Sequence, residues 1–194
     1  YDSTAQSMTK TLNALGYLAS HFGGMPVPAN ATDSINIEIR NTAVGTTATT
    51  RRYLPAWLMN DGTIRSFTDT TKTYVEFDTV AGNYFVVVRH RNHIPVMTSS
   101  ALPLAGFTPP AYDFSVSQTR AYGLSPMKQI GIAFALNAGD ADANLGVGAS
   151  DIVSTRSALG VLGYANSDVD MNGGVGASDL VLCRLNIGQV TQVP

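Results

Sequence analysis

Six aspartates and two asparagines recur at matching places in two copies of one motif, and their oxygens could together bind metal ions. The run at 146–151 (GVGASD) returns unchanged at 174–179, 28 positions later. Upstream of that run the copies share further acidic and amide residues at alternate positions: Asp140, Asp142 and Asn144 in the first copy, and Asp168, Asp170 and Asn172 in the second. Because the acidic residues stay in phase, the repeat favours a duplicated site over ordinary polar turns.

The spacing of these residues matches a twelve-residue loop that wraps one Ca²⁺. Calcium prefers six to eight oxygen ligands at about 2.3–2.6 Å, and such a loop supplies them from positions 1, 3, 5, 7, 9 and 12. Position 7 contributes a backbone carbonyl, and a glycine at position 9 leaves that vertex to water. The predicted ligands are Asp140, Asp142, Asn144, Gly146 and Asp151 for the first ion, and Asp168, Asp170, Asn172, Gly174 and Asp179 for the second.

The charge of this segment strengthens the prediction of two calcium ions. Between residues 138 and 194 every carboxylate side chain belongs to one of the six aspartates, and only Arg156 and Arg184 oppose them. The segment therefore carries a net charge of about −4, which two Ca²⁺ would bring near zero. We expect the segment to need the metal in order to fold.

The two loops differ at position 6, where the chain turns sharply. Gly173 occupies this position in the second loop, whereas Leu145 occupies it in the first. A residue with a side chain costs about 1–2 kcal/mol in left-handed backbone, unless the neighbouring Gly146 shifts the turn. We therefore expect the first site to bind calcium more weakly.

Each loop leads into a short apolar pattern that predicts a helix after Ser150 or Ser178. The apolar residues match between the copies, as Ile152 and Leu180 do. Helices this short are not stable alone, so we expect the two to pack antiparallel about a pseudo-twofold axis.

The duplicated loop and helix, over residues 138–194, resemble a type I dockerin, the module that binds cohesin domains in extracellular assemblies. The resemblance implies a small α domain and a cohesin-like protein partner. It also implies partner contacts from the loop and helix positions that match the family's binding residues: Ser150, Arg156, Ser178 and Arg184. Leu145 departs from the family's pattern.

The region before the repeat predicts a β-sandwich over residues 1–110, so the whole chain is expected to be mostly β with a small α domain. Ile35, Ile37 and Ile39 alternate with polar residues and share one face of a strand at 34–40. Further strands are predicted at 52–59, 73–78 and 84–91, separated by turns such as Asn60-Asp61-Gly62.

Two segments outside these strands are less defined by their pattern. Residues 7–18 could form a helix or another strand. Residues 99–110 are rich in proline, alanine and serine, as connectors are. Residues 111–137 remain apolar, and we expect them to connect the two modules and to pack against them.

The first region is similar to a β-sandwich module that precedes dockerin-like tails in large secreted bacterial proteins. The likeness is carried by Tyr1-Asp2-Ser3, Met8-Thr9 with Leu12-Asn13, Asp61-Gly62 and the run Val87–His93 (VVRHRNH). It implies architecture and an extracellular or cell-surface location. In that family an apolar strand usually precedes the Tyr-Asp opening. Its absence here suggests an open sheet edge that a neighbouring subunit's strand fills, which would build a filament by strand addition.

The composition argues against several classes of function. The chain has a net charge of −2 and no basic run, so no nucleic-acid partner is expected. Its apolar runs are too short to span a membrane. The single cysteine, Cys183, excludes an internal disulfide framework and is expected to be a small buried hydrophobe.

Catalysis and glycan binding are the remaining alternatives. Glu38 and Glu76, the only glutamates, could form a glycosidase pair, but both are predicted to face solvent. His90 and His93 are predicted to point to opposite faces of one strand, where they could not share a metal. Trp57, Tyr53, Tyr74 and Tyr84 could form a stacking platform for a glycan, although Trp57 is expected in the core. The sequence therefore favours a non-catalytic structural or assembly protein that self-associates, with a cohesin-docking or carbohydrate-binding module as the alternative.

Overall fold

The computed structural model describes residues 7–45, 51–105 and 111–194. The Tyr1–Ser3 opening and residues 106–110 of the proline-rich connector lie outside these ranges. Eight strands are described: β1 (Ala31–Arg40), β2 (Arg51–Met59), β3 (Ile64–Ser66), β4 (Gly82–Arg89), β5 (Val96–Met97), β6 (Leu102–Leu104), β7 (Lys128–Ile130) and β8 (Ala133–Ala135). Four helices accompany them: α1 (Thr11–Ala14), α2 (Tyr17–His21), α3 (Ala149–Ser157) and α4 (Ala177–Leu185), with a 3₁₀ turn at Gln118–Arg120.

The strands form an antiparallel six-stranded sheet and a separate two-stranded hairpin, β7–β8. The path through the larger sheet runs β3-β2-β1-β4-β5, and β6 pairs with the start of β4. β1 lies at its centre because β2 pairs along one edge and β4 along the other. The coarse prediction of a mostly β chain is confirmed.

Two predictions about the strands are wrong. Residues 73–78 do not form a strand, although Val75 and Phe77 still pack against the core beside Ile35. Glu38 does not face solvent, because the end of β1 is covered on both faces and the Glu38 carboxylate is fully buried. The guanidinium groups of Arg40 and Arg89 contact that carboxylate. Although burial opposes it, these two hydrogen-bonded arginines hold the pKa of Glu38 below its usual value.

The N-terminal segment folds as two short helices, which resolves the ambiguity at residues 7–18. Leu12 and Leu18 from these helices are fully buried against Trp57 of β2. Trp57 also stacks on Phe67, with ring centroids 4.5 Å apart. Because Trp57 has no exposed surface, it belongs to the core and cannot stack on a glycan.

Residues 111–137 lie against the face of the sheet that carries Ile35 and Ile37. Met127 is buried in that core, and Phe114 and Phe134 pack against it. The hairpin β7–β8 therefore adds a second layer over part of the sheet.

The segment from residue 138 to residue 194, which we call the repeat segment, contains α3 and α4 and folds back on itself symmetrically. Thr155 Oγ1 lies 3.5 Å from Cys183 Sγ, and these residues occupy equivalent positions in the two copies. Each loop also forms a β-bridge with the residues that follow the other copy's helix: Gly146 with Val190, and Gly174 with Leu162. These bridges map onto each other when the copies are exchanged, as a pseudo-twofold axis requires. Cys183 is buried between the copies.

None of the helices among the described residues reaches the length and apolarity that crossing a membrane requires.

Candidate metal centres

Each loop gathers three carboxylates into one cluster. Within each trio, one oxygen per residue lies within 4.8 Å of the others: Asp140, Asp142 and Asp151 in the first loop, and Asp168, Asp170 and Asp179 in the second. The aspartates at positions 1 and 12 are buried in both loops, whereas those at position 3 are more exposed. All six predicted carboxylate ligands are therefore brought together in the trios that the spacing predicted.

The carboxylate at position 12 closes each loop because it accepts two backbone hydrogen bonds. Asp151 Oδ1 accepts from the N–H of Asp142 at 3.1 Å, and its Oδ2 accepts from the N–H of Gly148 at 2.7 Å. Gly148 is the residue before α3, so this carboxylate also caps the helix N-terminus. Asp179 makes the same two bonds in the second loop, at 3.1 and 2.7 Å.

The two first-position aspartates, Asp140 and Asp168, carry the clearest electrostatic signal. Burial, together with the neighbouring carboxylates, raises the pKa of Asp140 to about 6 and the pKa of Asp168 to about 7. Among the described residues, no arginine or lysine forms an ion pair with any of the six aspartates. The first cluster therefore lacks a counter-charge, whereas the charge of Arg91 offsets part of the rise in the pKa of Asp168 in the second.

One carboxylate oxygen in the first loop has no hydrogen-bond partner among the residues that the structure describes. Asp140 Oδ2 accepts the N–H of Leu145 at 3.1 Å, but the buried Oδ1 has no hydrogen bond. An unpaired buried carboxylate oxygen costs free energy unless a cation or donor reaches it. A trio of oxygen ligands with one oxygen unsatisfied fits a bound cation.

The side-chain amides of the asparagines at position 5 are not oriented with their oxygen toward the carboxylates, as ligation of a shared ion would require. Asn144 Oδ1 accepts the N–H of Gly146 at 3.2 Å, and its Nδ2 donates to Asp142 Oδ2 at 3.0 Å. Asn172 makes the equivalent contacts with Gly174 and Asp170. The amide nitrogen thus faces the carboxylates, so these side chains can ligate a cation only after the amide rotates.

The backbone of each loop turns at the positions where the sequence placed the strain. Leu145 has φ = 75°, so it adopts the left-handed conformation itself and Gly146 does not relieve it. Gly173 has φ = 92°. Position 4 is also left-handed, at Ala143 (φ 58°) and Met171 (φ 59°), a feature that the sequence did not reveal because neither residue type favours it.

The predicted partner-binding residues lie on the surface. Ser150, Arg156, Ser178 and Arg184 are all exposed. The two serines also face the loops, since Asn144 Nδ2 lies 3.2 Å from Ser150 Oγ and the equivalent distance to Ser178 is 3.5 Å.

The repeat segment is anchored to the sheet by residues that follow β4. Arg91 donates to the carbonyl of Ala165 and, through Nε at 3.0 Å, to Asp33 Oδ2. Tyr164 donates to Asp33 Oδ1 at 2.6 Å. Although burial opposes it, the neighbouring His90 and Arg91 side chains hold the pKa of the Asp33 carboxyl below its usual value. The side chains of residues 89–92 thus bond a neighbouring strand and the repeat segment.

The prediction that His90 and His93 point apart is wrong. β4 ends at Arg89, so the alternation of a strand no longer applies, and the two rings lie edge to face with centroids 4.6 Å apart. His90 Nε2 approaches Asp33 Oδ2 at 3.1 Å, and His93 Nδ1 approaches Asn92 Oδ1 at 2.8 Å. Each histidine is thus engaged with a different partner inside the protein.

No protein-family model, curated protein or solved structure matches the chain. The geometry of the two carboxylate clusters is therefore the basis of the proposed function.

Proposed function

We propose that this protein is an extracellular, non-catalytic structural component whose dockerin-like repeat segment folds around two calcium ions and takes part in assembly. The observation that carries the proposal is the pair of equivalent trios, each with three carboxylates whose oxygens lie within 4.8 Å of one another. Two independent clusters of this kind, related by an internal symmetry, support a duplicated cation site.

Calcium fits the donor set better than other metals do. The ligand atoms are carboxylate, amide and backbone oxygens, and neither trio includes histidine or cysteine. Hard oxygen donors in a flexible loop suit Ca²⁺, whereas Zn²⁺ and other transition metals favour nitrogen or sulfur ligands. Outside the cell, calcium is abundant enough to fill even weak sites and would replace the disulfides that this chain cannot form.

The surface of the repeat segment supports an assembly role. Large apolar side chains are exposed by 48–74% at equivalent positions of the two copies: Val153 and Val181, Leu159 and Ile187, and Leu162 and Val190. Single exposed apolar residues are ordinary on soluble proteins, but contiguous apolar patches often mark interaction sites; here the exposed residues recur in both copies. We propose that this duplicated surface associates with a second copy of the chain; a cohesin-like protein is the alternative occupant.

The sheet offers a second route to self-association. β3 pairs only with residues 56–58 of β2, so among the described residues the first half of β2 pairs with β1 alone. The layer added by β7–β8 is in keeping with a β-sandwich, and the free half of β2 is an edge that a strand from another subunit could extend.

The burial of their candidate residues argues against two competing functions, glycosidase activity and glycan binding. Glu38 is held by arginines inside the protein and is not free to act with Glu76 as a glycosidase pair. Of the four aromatic residues considered for glycan binding, Trp57 and Tyr84 are buried.

Size-exclusion chromatography with light scattering and negative-stain electron microscopy, each with Ca²⁺ and with EDTA, tests the assembly. We expect calcium-dependent oligomers or filaments from the pure protein. The double variant Val153→Asp/Val181→Asp should disrupt them, whereas Val44→Asp, at an exposed position of the sheet region, serves as the matched control. A monomer at all concentrations with calcium would refute self-association and leave the docking of a separate partner as the function to test.

A further inference from the structure

Asn92 touches both calcium loops at once. Its backbone carbonyl accepts the N–H groups of Gly139 and Asp140, each at 3.1 Å. Its side-chain amide donates to the carbonyls of Asn166 and Asp168, each at 2.8 Å. Asn92 is fully buried, so these four bonds are shielded from water.

These bonds contact equivalent positions in the two loops. Asp140 and Asp168 are the first-position aspartates, and both are held through their own main chain by one residue that belongs to the sheet region. The means differ, because the first loop binds the backbone of Asn92 and the second loop binds its side chain. A substitution at this position therefore acts directly on the second loop alone.

The orientation of the Asn92 amide is fixed by its neighbour. Because Oδ1 of an amide can only accept, the contact at 2.8 Å requires that His93 Nδ1 carry the hydrogen. Burial holds the pKa of His93 well below its usual value, so the ring is neutral at physiological pH. With Oδ1 taken by His93, both hydrogens of the amide nitrogen are left for the two loop carbonyls.

The surrounding contacts show that the second loop is packed against the sheet more closely than the first. Met171 of the second loop lies in the core cluster that contains Trp57 and Leu12. A Cβ on Gly173 would lie 2.7 Å from Leu15 Cδ1 and 3.2 Å from Tyr17 Cε2. Leu145, at the equivalent place in the first loop, is 42% exposed.

We propose that Asn92 is the positioning residue that couples the two calcium sites to each other and to the sheet. This inference rests on the proposed binding of calcium. Filling the second loop fixes the main chain at Asp168, which fixes the Asn92 side chain. The Asn92 backbone then holds the start of the first loop, so calcium in one loop favours the geometry of the other.

The test replaces Asn92 by a residue of the same shape that cannot donate. Asn92→Asp leaves the two loop carbonyls without partners and adds a negative charge beside them. Asn137→Asp is the matched control, because Asn137 is also buried but its Nδ2 donates to the carbonyl of Pro126 at 3.2 Å rather than to a carbonyl of either loop. Calcium affinity is measured by isothermal titration calorimetry on the full chain, and unfolding is followed by the fluorescence of Trp57, the only tryptophan.

In the wild type we expect two calcium ions to bind, and calcium to raise the temperature at which the Trp57 signal unfolds. In Asn92→Asp the tighter site should weaken by tenfold or more, and the calcium-induced shift of the Trp57 transition should shrink. Asn137→Asp should lower stability without changing calcium affinity. Unchanged affinity and an unchanged shift in Asn92→Asp, with two ions still bound by the wild type, would refute the coupling alone. A wild type that binds no calcium would refute the proposed function as well.

A second experiment keeps Asn92 intact in case its variant does not fold. Asp179→Asn removes a ligand from the second loop only. With calcium present, hydrogen exchange should then become faster at the amides of Gly139 and Asp140, which donate to Asn92. Protection at these two amides equal to that of the wild type would overturn the proposal.

Discussion

Exchanging glycine and a side chain at position 6 of the two loops tests how backbone strain sets calcium affinity. Leu145 holds φ = 75°, and its N–H reaches Asp140 Oδ2 at 3.1 Å. Gly173 holds φ = 92°, and its N–H reaches Asp168 Oδ2 at 3.0 Å. The left-handed backbone thus performs the same task in both loops, and only the first loop meets it with a side chain.

The magnitude follows from opposing contributions. Relieving the left-handed conformation in Leu145→Gly gains about 1–2 kcal/mol, while the extra freedom of glycine in the unfolded loop costs about 0.5–1 kcal/mol. The net gain of about 0.5–1 kcal/mol corresponds to calcium binding about two- to fivefold tighter at the first site. Gly173→Ala should cost more than the strain alone, because the new Cβ would also crowd Leu15 and Tyr17.

Isothermal titration calorimetry on the full chain separates these effects. Leu145→Gly should tighten the weaker of two binding events and leave the tighter one unchanged. Gly173→Ala should weaken the tighter event by about tenfold or more. If Leu145→Gly weakened binding, or Gly173→Ala left both affinities unchanged, the argument from backbone strain would fail.

Three further perturbations follow from the same structure. Asp151→Asn and Asp179→Asn should each abolish one calcium site. Asp179→Asn should lower the unfolding temperature more than Asp151→Asn does, because the second loop packs against the sheet. Equal shifts of the unfolding temperature in scanning calorimetry would contradict this. Glu38→Gln should destabilise the chain by about 3–5 kcal/mol in urea denaturation, because it removes the carboxylate that compensates the charge of the buried Arg40; a loss below about 1 kcal/mol would contradict it. In EDTA, protons on the two first-position aspartates take the place of the metal in relieving the repulsion between carboxylates. Their pKa values of about 6 and about 7 mean that the folded repeat segment holds protons which the unfolded segment has released. The stability they contribute is present below about pH 4 and is lost as the pH rises through 7. Thermal melts should therefore show the wild type losing stability across this range relative to the variant with both aspartates changed to asparagine, a comparison that cancels the opposite effect of buried His93; parallel curves would refute it.

The two carboxylate clusters could be predicted from the sequence because their geometry is local. All ligands of one loop lie within twelve residues, so spacing alone brings Asp140, Asp142 and Asp151 together. The left-handed position at Leu145 was predictable for the same reason. The rotation of the Asn144 amide was not, because it depends on which hydrogen bonds the loop completes.

The features that the sequence missed depend on contacts between distant segments. Glu38 alternates with isoleucines, as a solvent-facing residue would. Only the contact with Arg89 of β4 shows that Glu38 is covered. Asn92 lies 76 positions before Asp168, and nothing in its local pattern marks it as the contact between the sheet and both loops. The sequence of the run Val87–His93 does not indicate its partners either, because these lie on distant segments that only the fold brings together.

Calcium uptake by the full chain, measured by calorimetric titration after EDTA treatment, is the most direct test of whether each loop binds one calcium ion. We expect two Ca²⁺ to bind per chain, with unequal affinities, and no uptake by the double variant Asp151→Asn/Asp179→Asn. Absence of calcium uptake by the wild type, or equal uptake by the double variant, would contradict it.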